Sequence, residues 1–197
     1  MKGAAEIIVV DGGSADGTRE IAEAAGARLI AAPKGRGAQL RAGGEAARGE
    51  WLLFLHADTL LDDGWMAAAE RHAAREPRAA ACFRFRLDSR VWQTRLVERG
   101  VNARLRLLAL PYGDQGLLIH RSLYEAVGGY APLPLMEDVD LVRRIGRSRL
   151  RVLDVDAVTS ADRWERDGWL RRSARNLFCL SLYGAGVRPE RIASLYD

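Results

Sequence analysis

Three short stretches hold carboxylates where chemistry can use them: His56-Ala57-Asp58, Asp114-Gln115 and Glu137-Asp138. The first ends the apolar run Trp51-Leu-Leu-Phe-Leu55, bounded by Gly49 and by Asp62-Asp63-Gly64, a pattern that predicts a central strand of a parallel sheet covered on both faces. Ligands of open α/β sheets bind beyond the carboxyl ends of strands, where Asp58 would stand. One carboxylate there suits a hard divalent ion shared with a phosphorylated ligand; capping of the following helix is its plainer use. Glu137-Asp138 follows the turn Leu133-Pro-Leu-Met136 and opens a helix. General-base catalysis needs such a pair, one acid placed by a rigid element and a neighbour that tunes it. With Asp140, three acids fall in that first turn, which the helix dipole alone would favour. In Pro111-Tyr112-Gly113-Asp114-Gln115-Gly116, turn geometry accounts for the glycines and proline but not for Asp114-Gln115.

Two glycine-rich turns suit anions. Glu6-Ile-Ile-Val-Val10 reads as a strand ending at Asp11, and Gly12-Gly13-Ser14-Ala15-Asp16-Gly17-Thr18 as the turn into a helix. Small residues let a ligand approach the backbone, and a helix N-terminus favours negative charge. Three familiar motifs fail here: a serine-hydrolase elbow has glycine where Asp16 stands, a calcium loop has glutamate where Ala22 stands, and a dinucleotide fingerprint has another glycine spacing. After a short strand at Arg28-Leu-Ile-Ala31, Pro33-Lys34-Gly35-Arg36-Gly37 is a basic loop able to hold a diphosphate. A capped tight turn and a solvated loop are the corresponding plain readings.

The elements around these stretches follow from periodicity. Beyond Asp58 the pattern predicts a helix from Gly64 to Arg75, a strand over 79–87, a helix over 89–110, a strand at Leu117-Leu-Ile-His120, a strand over 150–154 and a helix over 168–183. The opening βαβαβ rhythm predicts a mostly parallel, doubly wound sheet with flanking helices. In the 89–110 helix, Val91, Trp92, Leu96, Val97, Val101, Leu105 and Leu108 form one stripe, read as core, with arginines mostly off it. A basic amphipathic helix of this kind also suits a membrane surface. The apolar surface of the 168–183 helix is wide enough that it must pack on the core, a partner or a membrane.

At 197 residues and 48% hydrophobic content, the chain is sized for one domain. Thirty Lys+Arg against 26 Asp+Glu give net +4, which suits phosphorylated ligands or an anionic membrane. The arginines lack the interleaved aromatics of single-strand binders, so nucleic acid is not expected as a partner. Cys82 and Cys179 form neither a disulfide framework nor a zinc pattern, which points to the reducing cytoplasm. There is no signal peptide pattern and no apolar run of about 18 residues.

Taken in order, Ile8-Val-Val-Asp-Gly-Gly-Ser-Ala-Asp-Gly-Thr18, Phe54-Leu-His-Ala-Asp-Thr59, Tyr112-Gly-Asp-Gln-Gly116, Val127-Gly-Gly-Tyr130 and Pro134-Leu-Met-Glu-Asp-Val-Asp-Leu141 resemble a bacterial family 2 glycosyltransferase, in particular a small subgroup with a His-Ala-Asp metal motif. The resemblance covers nearly the whole chain. It implies a GT-A, Rossmann-like α/β fold with C-terminal amphipathic helices, a nucleotide-diphospho-sugar donor, a divalent metal (Mg²⁺ or Mn²⁺) and inversion at the anomeric carbon. Within one glycosyltransferase domain it implies a donor part (1–88), an acceptor part (89–166) and a C-terminal helical appendage (167–197). By position, Asp11, Gly12, Gly13 and Ser14 would face the nucleoside, with Arg36 and Gln39 near it or the diphosphate and Ala57 beside them. Asp58 would reach the metal and Asp138 would be the general base. Asp114, Gln115, Glu137, Arg163 and Trp164 would line the acceptor side. His56 is expected to support the site without ligating the metal, since imidazole suits Mg²⁺ poorly.

The sequence departs from its relatives at three points. Gly12 stands where relatives carry a second aspartate that grips uracil, leaving the base open. Ser160 stands where processive members have the glutamine of Gln-x-x-Arg-Trp, which argues against polymerisation. Relatives also begin with a further strand and helix. Without that strand Glu6–Val10 would present a bare apolar edge, so self-association there, or weaker folding and donor binding, is expected. A catalytically silent sugar-nucleotide binder and a peripheral membrane scaffold, held at the inner face of the membrane by its basic helices, are the rival functions.

Overall fold

Short β-branched runs alternating with alanine-rich stretches build the first half of the chain. Ile-Val-Val-Asp forms β1 (Ile8–Asp11), which is followed by α1 (Thr18–Ala24) and β2 (Arg28–Ala31). Helix α2 (Arg36–Ala46) leads to β3 (Trp51–Phe54), β4 (Thr59–Leu61), α3 (Trp65–Arg75) and β5 (Ala80–Leu87). Then come α4 (Trp92–Leu108), β6 (Leu117–His120), α5 (Arg121–Ala126), α6 (Glu137–Ile145) and β7 (Leu150–Thr159). The last helices are α7 (Asp162–Asp167), α8 (Trp169–Gly184) and α9 (Pro189–Tyr196). The structure, a computed structural model, describes residues 4–196.

The class is α/β with flanking helices, as the rhythm predicts, but the main sheet is mixed. Its five strands run in the order β3-β6-β5-β7-β4, with β5 parallel to β7, β6 antiparallel to both β3 and β5, and β4 antiparallel to β7. Strands β1 and β2 form a separate parallel pair. Strand β3 is therefore an edge strand, not the central one expected. Apolar residues on both faces report burial, not the number of paired neighbours. The unpaired sides of β1 and β3 line one hollow of about 880 Å³, walled by Leu40 and Gly43 of α2 and by Met66 and Ala69 of α3.

Since no ladder joins the two sheets, side chains and close helix packing must do so. Glu6 accepts hydrogen bonds from the amides of Arg48 and Gly49 at one end of the hollow. At the other end Gln39 Nε2 donates to the Val10 carbonyl over 2.9 Å. Between them α2 lies close on its neighbours because it lacks side chains there. A Cβ on Gly37 would stand 2.4 Å from the Ala131 carbonyl oxygen and 2.6 Å from the Leu133 amide nitrogen, and one on Gly44 would stand 2.6 Å from the Tyr124 hydroxyl. Arg121 holds the start of β3 by donating to the carbonyls of Ala47 and Gly49.

Helix α4 corrects the expected core stripe. Trp92 and Leu96 are 68% and 55% exposed, whereas the buried face carries Thr94, Glu98 and Leu105; the side chain of Leu108, the last of the stripe, lies outside the described residues. The cause lies in β5, whose pairing with β6 is confined to Ala81 and Leu118. Beyond it, Asn102 Oδ1 accepts from the Phe85 amide, its Nδ2 donates to the Phe85 carbonyl, and Glu98 Oε1 accepts from the Leu87 amide. The inward polar residues thus replace a strand, because buried backbone groups must find partners. Val97 and Val101 do pack inward, beside Trp164 and Trp169. Helices α8 and α9 share a core with α6, in which Cys179, Leu180 and Ile192 meet Met136 and Val139.

Two glycine substitutions should therefore act in opposite directions. Ala is favoured over Gly within a helix by about 0.8–1.0 kcal/mol, whereas forcing a carbon into a packed contact costs about 1–3 kcal/mol. Gly37→Ala meets rigid backbone and should be net destabilising. Gly100→Ala, in α4 with nothing within 4 Å of the added carbon, should stabilise. Urea midpoints of the two variants against the parent chain measure both signs.

Candidate active site

The polypeptide leaves β3 at Phe54 and turns through His56, Ala57 and Asp58 before pairing again as β4. The turn is closed by the Thr59 amide donating to the His56 carbonyl (3.1 Å) and the Ser160 amide donating to the Asp58 carbonyl (3.0 Å). This leaves the Asp58 side chain exposed at the tip. His56 instead points under Gly113 and toward Asp138. A Cβ on Gly113 would stand 2.1 Å from His56 Nε2 and 3.1 Å from Asp138 Oδ2, so only glycine fits. The Gly113 amide donates to Asp138 Oδ2. Burial lowers the His56 pKa, so the ring is neutral, and its Nε2 is buried without a partner among the described residues.

Asp138 is aimed by an unusual residue. Met136, just before α6, is in the left-handed region (φ 66, ψ 17), which costs a non-glycine residue about 1–3 kcal/mol. Its side chain is buried against the α8–α9 core, which holds it there. The three acids of the first turn then separate. Asp138 faces the pocket. Asp140 pairs with Arg144. Glu137 is completely buried with both carboxylate oxygens unpartnered among the described residues. Burial, and then the neighbouring Asp138, push the Glu137 carboxyl up to about 8. Asp114, on the pocket wall, is pushed up to about 6 by burial, against the pull of Arg104.

The resulting pocket brings together Arg36, His56, Asp58, Asp114, Asp138, Arg163 and Trp164. Four of them, Arg36, His56, Asp58 and Arg163, also line the large hollow, so two cations and a carboxylate stand at the junction of the two spaces. Ala57 and Gln39 line the hollow only. Two expected acceptor-side residues are not on the pocket wall. Gln115 is buried, with Nε2 donating to the Phe83 carbonyl and Oε1 accepting from the Tyr112 amide, so it holds the turn instead. Glu137 is buried beneath it. Asp11, Gly12, Gly13 and Ser14 lie at the tip of the β1–β2 pair and line neither space. There Asp11 accepts from the Ser14 amide (3.0 Å), and hydrogen bonds from Ser14 lower its pKa.

Sequence reasoning missed the far wall, formed by Tyr112, Arg172, Asn176, Cys179 and Tyr196. Arg172 is buried in α8, pairing with Asp167 at 2.7 Å, and its guanidinium lies near the Trp164 ring. The available signal was Arg172, Arg175 and Asn176, long polar residues spaced three and four apart on one side of a helix whose remaining residues are largely apolar or small.

The sequence profile of Glycosyl transferase family 2 matches residues 2–131. The chain belongs to this family. No curated protein matches it in sequence. Among solved structures, glucosyl-3-phosphoglycerate synthase from Mycobacterium tuberculosis, in complex with phosphoglyceric acid, is 21% identical with a TM-score of 0.53; 79% of this chain covers 61% of that one. S. aureus TarS (1–349), in complex with UDP-GlcNAc, is 15% identical with a TM-score of 0.59, over 79% of this chain and 49% of that one. GalNAc-T7, with UDP, GalNAc and Mn²⁺, is 13% identical with a TM-score of 0.59, over 79% and 38%. This family 2 chain thus spans about three fifths or less of the length of these structures. Likeness at such identities establishes the fold, GT-A, in agreement with the expected class.

A divalent ion fits this family 2 site in a limited way. Among the described residues no cluster of three or more His, Cys, Asp or Glu could hold one. Asp58 nonetheless offers a hard, exposed carboxylate, and an ion bound chiefly by a diphosphate needs only one or two from the protein.

The buried acid gives a pH test. Below about 4.5 Glu137 is protonated in both folded and unfolded chains; between there and about 8 only the unfolded chain ionises, so the native state loses stability as pH rises. Glu137→Gln removes that loss. The variant should gain stability over the parent at pH 8, accumulating at most about 1.4 kcal/mol for each pH step of one crossed in that window, with the gain vanishing toward pH 5. Thermal unfolding across this range reads it, and a pH-independent difference would mean that Glu137 is not held neutral.

Proposed function

We propose that this chain moves a sugar from a nucleotide-diphospho-sugar to an acceptor hydroxyl, with inversion and with a divalent metal. The observation that carries the reading is the meeting of Arg36, Asp58 and Arg163 with Asp138 around one pocket, in a family 2 fold. Several of the structures it resembles hold UDP or UDP-sugars, some with Mn²⁺, which favours a similar donor here. Asp11 to Ser14, with Gln39 behind them, would meet the nucleoside, and Arg36 and Arg163 would neutralise the diphosphate.

Asp138, oriented by the Gly113 amide, takes the proton of the acceptor hydroxyl. The freed oxygen attacks the anomeric carbon as the bond from that carbon to the diphosphate oxygen breaks on the opposite side, which inverts the centre. Glu137, held neutral by its burial, adds no further negative charge beside Asp138 and Asp114 to oppose the incoming diphosphate. His56, neutral and wedged under Gly113, keeps the turn and the base in place. A metal bound at Asp58 would supply Lewis-acid stabilisation of charge on the leaving diphosphate. Asp114, Arg163, Trp164 and the α8 wall would enclose the acceptor and exclude water. Two free, buried cysteines support a reducing, cytoplasmic setting. The bare edge of β1 favours pairing between copies, which light scattering would read as a mass at a multiple of 21.7 kDa.

Asp138→Asn should keep donor affinity within a few-fold and cut turnover by about 10²-fold or more, the usual cost of losing a general base. Glu137→Gln should cost less. Equal, modest losses in both would assign these acids to helix capping. Asp58→Ala should abolish the metal-dependent part of donor binding in calorimetry while thermal unfolding stays unchanged; undiminished metal-dependent affinity would remove Asp58 from that role. Donor binding without turnover in the parent chain would identify a silent binding module.

A further inference from the structure

The outward faces of α4 and α8 are apolar where a surface helix is normally polar. On α4, Trp92, Leu96 and Leu107 fall at helical spacing along one side, and each is more than half exposed. On α8, Leu170, Leu177 and Phe178 do the same. The inward faces account for neither stripe, since α4 turns Thr94, Glu98 and Asn102 to the protein. The two helices meet where Val97 and Val101 approach Trp169.

The exposed charge on the two helices themselves has one sign, the nearby acids Asp162 and Glu165 belonging to α7. Arg95, Arg99 and Arg106 are exposed on α4 and Arg171 on α8, and none forms an ion pair among the described residues. The single acid in α4 is Glu98, which is buried, and α8 contains none. We propose that this face docks on an anionic lipid bilayer, with the apolar stripes lying at the headgroup boundary. Apolar side chains flanked by arginine, with a tryptophan at the rim, suit the interface plane, and each arginine near an anionic surface adds attraction. A second copy of the chain fits poorly, because it would set these arginines against their own kind. Nucleic acid would leave the leucines and Phe178 without a partner. No helix among the described residues is long and apolar enough to cross a membrane, so the contact lies in the interface. The opposite face of α8 carries Arg172, Asn176 and Cys179 of the pocket wall. A docked α8 therefore holds the pocket about one helix diameter, roughly 10–12 Å, from the headgroups.

Sedimentation with vesicles tests this without a donor, so its result is independent of the transfer reading. The chain should pellet with mixed phosphatidylcholine and phosphatidylglycerol vesicles, less in high salt, and not with phosphatidylcholine alone. The double variants Trp92→Ser/Leu96→Ser, Leu177→Ser/Phe178→Ser and Arg95→Gln/Arg99→Gln should each lower the vesicle partition coefficient by about tenfold or more, with circular dichroism and thermal unfolding unchanged. No pelleting of the parent chain, or undiminished pelleting of all three variants, would overturn the proposal. So would two other outcomes: serine pairs that dissolve a dimer, which would assign the face to a second copy, or duplex DNA displacing the vesicles with affinity indifferent to the serine pairs.

Discussion

A missing carbon at Gly113 is the constraint on which the site depends. His56 from the first half of the chain, the Pro111 to Gly116 turn, and Asp138 at the start of α6 meet there with no space for a Cβ. Each brings something the others lack. The turn offers a backbone amide, α6 a carboxylate, and the β3 end a neutral ring that fills the space beneath. The strained Met136 and the buried Glu137 belong to the same joint. The chain tolerates about 1–3 kcal/mol of backbone strain at Met136, and a carboxyl without partners at Glu137, to present Asp138 at one angle. Local rules are commonly broken at functional sites and offset elsewhere. Here the offset is the packing of Met136 and Val139 against Cys179, Leu180 and Ile192.

The divided sheet obeys a different logic. A continuous sheet would join β1 to β3 by a ladder of hydrogen bonds; here α2 bridges the two halves instead, with Gly43 against Val10 of β1, Gly37 and Gly44 against Ala131, Leu133 and Tyr124, and Glu6 and Gln39 tying down the two ends. Close packing can replace a ladder, but it leaves two rows of backbone groups facing a hollow of about 880 Å³. Asp11, Gly12, Gly13 and Ser14 ride on the smaller sheet while Asp58 and Asp138 ride on the larger. In the proposed function the span from the nucleoside contacts to Asp138 would therefore be set by α2, and its glycines would matter to binding as well as to folding.

Much of this was legible in the residues, and the failures share a cause. The apolar run of β3, its His-Ala-Asp tip, the basic turn before α2 and the Glu-Asp pair of α6 were all readable, because each is a local pattern with a local meaning. Three of these stretches do converge on one pocket through Arg36, Asp58 and Asp138. Misreadings arose where a residue's role depends on something distant. Periodicity found the stripe on α4 but placed it inside, since nothing local announces that the free edge of β5 needs Glu98 and Asn102 as partners. Gln115 and Glu137 looked like acceptor contacts because polar residues in a motif usually face the ligand, yet one satisfies the Phe83 carbonyl and the other is fully buried in the first turn of α6. The α8 wall could not be seen at all until the helix was docked.

Helix α8 shows how one element can serve two demands that pull its sequence in different directions. Its inner face is mixed: Cys179 and Leu180 bury against α6, while Arg172 and Asn176 line the pocket. Arg172 is tolerated there because Asp167, accepting from both Arg172 and Arg175, supplies the opposite charge at the helix start; a buried cation without such a partner would be far more costly. Its outer face has no comparable internal constraint, yet it carries Leu170, Leu177 and Phe178 where polar residues would cost nothing. The helix is therefore apolar on part of both faces, not only on the one it buries. Packing within the chain explains the inner face, and the outer one is left for the lipid contact proposed above.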